Sequence, residues 1–148
     1  MTDTAELDTK TEEAPSPNGH TEEEWLEFSD DMAFIRHITE QKPAEEIVPV
    51  PEWKMKVLCR ALSAEDRVAV NMAGYDAETK TTDLRKALFE VVLHGCFNPA
   101  NGHRAFRESH RAMLTKKPEH GAAVERLFMV ILRLSKMLPG VTEQARKN

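Results

Sequence analysis

The sequence predicts a mainly helical α+β protein, with a short N-terminal two-stranded β-ribbon followed by a bundle of about four helices, all behind an acidic arm. Three observations predict it. Charge is segregated: residues 1–46 carry fourteen acids against Lys10, Arg36 and Lys42, whereas residues 47–148 carry eleven acids against seventeen bases. Between Ile47 and Leu62 apolar residues alternate with a period of two. From Ser63 onward the spacing becomes helical and is interrupted only by turn-forming clusters.

Residues 1–20 hold Leu7 as their single large aliphatic besides the initiator Met, so they cannot bury enough surface to offset their ordering entropy and are expected to be a disordered acidic tail. Residues 21–42 read as an amphipathic arm. Thr21 opens a capping box with Glu24 at its fourth position, and Trp25, Phe28, Met32, Ile35 and Ile38 follow at near-helical spacing through Glu40. The pattern predicts a helix of about four turns, and leaves open whether its stripe docks on its own body or on another protein.

Residues 43–140 form the expected single domain. Val48 and Val50 alternate with Pro49 and Pro51, which confines that strand to a sheet edge. Trp53, Met55, Val57, Cys59 and Ala61 share one face of the next strand, and Lys54, Lys56, Leu58 and Arg60 the other, with the turn near Pro51-Glu52. Ser63 caps the first helix of the body, with Glu65 and Asp66 in its first turn and an apolar face of Val68, Ala69, Met72 and Ala73, ending around Gly74. Thr81 or Thr82 is the expected cap of the next, whose stripe is Leu84, Leu88, Val91, Val92 and Gly95. Cys96-Phe-Asn-Pro-Ala-Asn-Gly-His103 reads as a turn. A shorter helix with Phe106, His110, Met113 and Leu114 follows, and Pro118 starts a last helix that runs to about Leu138, where Pro139-Gly140 stops it. Residues 141–148 are expected to fray.

The last helix is apolar on most of its sides. Val124, Leu127, Phe128, Ile131, Leu134 and Leu138 suffice for a core stripe, and Met129, Val130 and Leu132 are extra, so the helix is either central or presents a face to a partner.

Few residues carry chemistry. His94-x-Cys96 with His103 and His110 lacks the two tight ligand pairs of a structural zinc site. Cys59 and Cys96 read as small buried hydrophobes, and neither has an evident base and orienting acid. No phosphate-cradling glycine motif is present. No enzyme, metal or cofactor is expected. The basic stretch of His103, Arg104, Arg107, His110, Arg111, Lys116 and Lys117 reads as a solvated helix face, and nucleic acid is not the expected partner because the acidic arm would compete with phosphate. No apolar run reaches the roughly 18 residues of a bilayer span, and the acidic start lacks the features of a signal peptide, so a cytosolic protein is expected.

The order of features resembles the tail assembly chaperones of long-tailed, siphovirus-like bacteriophages. Val48-Pro-Val-Pro-Glu-Trp53 is similar to a ribbon motif of that family, and Leu62, Ser63, Ala64, Glu65 and Arg67 to its helix start. Asn101-Gly102, Phe106 and the Leu134-Ser135 pair stand in similar places. The resemblance spans residues 43–138. It departs from the family where a usually acidic run is basic here. It implies a non-catalytic chaperone that binds the tape measure protein, promotes tail tube protein assembly around it in the host cytoplasm, and is absent from the mature virion; a homo-oligomer stays open. Candidate partner-binding residues are Trp25, Phe28, Met32, Met129, Val130 and Leu132, because flexible Met and bulky aromatic side chains suit an apolar helical client. The alternatives are a small DNA-associated regulator and a structural tail completion or connector subunit.

Overall fold

The structure, a computed structural model, describes residues 25–138. The expected tail over residues 1–20, the capping box at Thr21, the Pro139-Gly140 stop and the frayed residues 141–148 lie outside the described residues. The chain divides into two units, residues 1–42 and residues 43–147.

In the first unit, α1 spans Asp31–Thr39. It starts later than its apolar periodicity predicts, because Asp30 claims the cap. That residue is extended, its carboxylate accepts from the Ala33 N–H at 3.2 Å, and Asp31 adds charge where the dipole favours it. Trp25 to Phe28 precede it without helical structure. No residue of α1 is buried.

In the second unit the ribbon forms as its alternation predicts. Strand β1, Glu45–Val50, pairs antiparallel with β2, Met55–Arg60, in a register from Glu45 opposite Arg60 to Val50 opposite Met55. Val48, Val50, Val57 and Cys59 point into the core, while Met55 at the ribbon tip is exposed. Pro49 sits on an edge strand, as required of a residue without an N–H. A single turn of 3-10 helix, Pro51–Trp53, and Lys54 in the left-handed region (φ 53°) reverse the chain. The ribbon is not the whole sheet. Cys96–Phe97, read above as part of a turn, forms β5 against β2, giving the order β1-β2-β5. Two residues are too short a strand for periodicity to reveal.

Helix α2, Ala64–Gly74, is capped by Ser63, whose hydroxyl accepts from the Asp66 N–H at 3.1 Å. A small hairpin follows, β3 (Tyr75–Asp76) with β4 (Thr81–Thr82). Thr81 and Thr82 are therefore strand residues, not caps. Asp83 takes that role, accepting from the Arg85 N–H at 3.0 Å. A 3-10 turn, Leu84–Ala87, leads into α3, Leu88–Gly95. Helix α4, Arg111–Lys116, extends the 3-10 turn Glu108–His110, and Pro118–His120 does the same for α5, Gly121–Leu134.

Helix α5 is the centre of the core: Ala123, Val124, Leu127, Phe128, Ile131 and Leu132 are buried beside Phe89, Val91 and Val92 of α3 and the inward valines of the sheet. Where α3 crosses it, a Cβ on Gly95 would fall 2.7 Å from the Ile131 side chain. Contrary to expectation α5 stops at Leu134 instead of Leu138. Lys136 turns left-handed (φ 58°), with its N–H on Arg133 O and the Met137 N–H on Leu132 O, the two bonds of a Schellman ending.

Candidate partner-binding surface

The motifs that carry the family resemblance are structural clamps. Glu52 of the ribbon turn receives two hydrogen bonds from Arg126, at 2.7 and 2.9 Å. Trp53 Nε1 donates to His120 Nδ1 at 3.0 Å and packs edge-on against Phe106 and His120. The turn is thereby pinned to the start of α5. At the other end of that helix, Ser135 Oγ accepts from the buried Leu62 N–H and Ser135 O from Arg67 Nη1, both at 2.8 Å. The helix-start motif and the late Leu-Ser pair thus meet in space.

The groups that could do chemistry do not converge on one site. His94 Nδ1 lies 3.1 Å from Asp66 Oδ1, off the line of a hydrogen bond, so that buried nitrogen is left without one. His110 Nδ1 accepts from the Arg107 N–H. Cys59 and Cys96 are fully buried and face each other across β2 and β5; the neighbouring Cys59 thiol and burial push the Cys96 thiol well above its ordinary range. Among the described residues no three His, Cys, Asp or Glu gather as metal ligands.

Two arginines of the basic stretch are held by neighbours, while His103, Arg107, Lys116 and Lys117 are exposed. Arg104 caps the C-terminal carbonyls of α3, Leu93 and His94, and stands over the Phe97 ring. Arg111 bonds Glu90 and Glu108 and lies over Phe89, which raises its own pKa and lowers that of Glu108. Arg126 holds the Glu52 carboxyl down at about 2 from its ordinary 4.5.

Exposed apolar side chains are concentrated in a few places. From Trp25 to Ile38, seven large apolar side chains are exposed: Trp25, Leu26, Phe28, Met32, Phe34, Ile35 and Ile38, with Met32 at 71%. Sequence reading traced Trp25, Phe28, Met32, Ile35 and Ile38 as one stripe and named the first three as partner-binding. It missed Leu26 and Phe34, which fall off that stripe. On α5 the three candidates separate. Met129 is 41% exposed, Val130 is half-buried, and Leu132, at 2%, belongs to the core and leaves the surface. Leu132 lies one residue beyond Ile131, so the broad buried arc of a central helix takes in both.

A second apolar strip went unrecognised. The apolar face that spacing traced on α2 is turned outward: Val68 and Met72 are exposed, Met72 at 73%, and Tyr75 continues the strip. Met72 and Tyr75 line a shallow recess with Asn71 and Thr82. The buried face is instead the one with Val70 and Gly74, where a Cβ on Gly74 would sit 2.5 Å from Asp83 O.

By class, this is a small α+β domain with exposed apolar strips on its surface; among the described residues no helix is long and apolar enough to cross a membrane. No family model and no curated protein matches the sequence. Among solved structures, the tail assembly chaperone of bacteriophage HK97 overlays with a TM-score of 0.45 and 14% sequence identity, over 73% of this chain and 96% of that one. That degree of likeness does not establish a family.

Proposed function

We propose that this protein is a non-catalytic phage tail assembly chaperone that holds the tape measure protein soluble in the host cytoplasm while tail tube subunits assemble on it, and that it leaves before the virion is complete. The observation that carries the reading is the run of seven exposed apolar side chains between Trp25 and Ile38. A helix of nine residues is too short to be stable in water by itself. Its apolar side chains gain most by lying in a groove of a helical client, which is the helix-in-groove mode of recognition. The similarity of Val48–Trp53, Leu62–Arg67 and Leu134-Ser135 to tail chaperone motifs supplies the kind of client. Met129 and Val130 are assigned to the same role, and Leu132 is withdrawn from it.

The test is co-expression with a tape measure protein from the same genome. The expected result is soluble tape measure that co-purifies with the chaperone and precipitates without it. Changing Phe34 and Ile35 together to Asp should abolish recovery while helical circular dichroism and the thermal midpoint stay unchanged. Undiminished recovery with that variant would remove the arm from the mechanism, and an insoluble tape measure in both expressions would remove the function.

A further inference from the structure

We propose that Cys59 and Cys96 are a redox-modification site, an intramolecular thiol pair that a peroxide closes to a disulfide, locking β5 onto β2. The two residues are register partners on antiparallel strands, both fully buried. The Cys96 carbonyl turns away from β2 to accept from the Ala105 N–H at 3.0 Å, and the Asn98 N–H likewise donates to His103 O. In an antiparallel ladder a residue's N–H and C=O point the same way, so Cys59 and Cys96 form a non-hydrogen-bonded pair. Cα atoms in such a pair stand about 4.5 Å apart, with side chains drawn together, and disulfides span about 4.4–6.8 Å. Both side chains lie on the buried face of the sheet. The bridge can therefore close without moving the strands.

The chemistry balances with hydrogen peroxide as oxidant. One thiolate attacks a peroxide oxygen and becomes a sulfenic acid, releasing water after protonation. The neighbouring thiol then attacks the sulfenic sulfur and expels a second water. Two S–H bonds are lost, one S–S bond forms, and the peroxide is reduced to two waters. The neighbouring Cys59 thiol and burial keep Cys96 protonated, so the pair stays reduced in a reducing cytosol and reacts only when the short β5 edge opens. The opening needed is small, because β5 meets β2 over two residue pairs only.

The measurement uses the full chain treated with hydrogen peroxide at neutral pH. Both thiols should disappear from titration under denaturing conditions, the monomer mass should fall by about 2 Da, and one digest fragment should link Cys59 to Cys96. The thermal midpoint should rise by several degrees and return to its starting value with dithiothreitol. Three results overturn the proposal: thiols that survive peroxide sufficient to oxidise the urea-unfolded chain, oxygen-adducted or chain-to-chain linked products in place of the bridge, and a bridged protein that melts lower than the reduced one.

Discussion

Three lysines, Lys54, Lys80 and Lys136, occupy the left-handed region that only glycine enters without a steric cost. At Lys136 the conformation is forced by the Schellman bonds that end α5. Lys136→Gly should therefore stabilise the protein by about 0.5–1 kcal/mol, seen as a higher urea midpoint at unchanged slope. Glu52 gives a pH dependence with a definite sign. Its pKa falls from 4.5 unfolded to about 2 folded, because Arg126 and its own backbone N–H bind the carboxylate. The contribution is complete above pH 4.5 and fades as the pH drops toward 2. Glu52→Gln should flatten the loss of stability in that window and leave the remaining acid transition in place, measured by circular dichroism during acid titration. Some residue-level features were legible: Ser63 declares itself as a cap through its chemistry and the acids after it. Asp30 and Asp83 were not singled out, because a carboxylate beside other capping residues wins its place only once the neighbouring backbone is fixed.

At the scale of elements, two contacts decide how helices meet. Ser135 joins the end of α5 to the start of α2, and the Leu62 N–H it satisfies is buried. Ser135→Ala leaves that donor unmet at a cost of about 1–3 kcal/mol, read from equilibrium denaturation. Gly95 permits the close crossing of α3 and α5. Gly95→Ala should cost about 1–3 kcal/mol by overpacking against Ile131. In an Ile131→Ala background, where the clashing atoms are gone, the same change should cost much less, and a double-mutant cycle reads the difference. The ribbon and the order of the helices could be read from period and caps, but most helix ends could not. Strand β5 and the hairpin of β3 and β4 could not, since two-residue strands exist only through their partners. The direction of α2 was hidden for a different reason. Its more apolar face, Val68 and Met72, is the exposed one, and the buried face works through Val70, a close-packed Gly74 and the Arg67 bond to Ser135. Hydrophobic period locates a stripe on a helix but does not say which side the core lies on.

For the molecule as a whole, the division between inside and outside runs along α5. Sequence spacing left Met129, Val130 and Leu132 together as surplus apolar residues, and the structure divides them. Leu132 packs in the same buried cluster as Phe128, Ile131 and the valines of the sheet. An aspartate there would place an unpaired charge in that cluster, so Leu132→Asp should destabilise the protein by more than about 4 kcal/mol and abolish its helical circular dichroism at physiological temperature. Met129 reaches solvent, and Met129→Asp should change stability by no more than about 0.5 kcal/mol. The two variants share a helix and a chemical change and differ only in facing, so a difference in their urea midpoints measures where the core ends. Equal midpoints would mean that α5 is not central, and the assignment of client contact to its Met129 side would lose its basis with it.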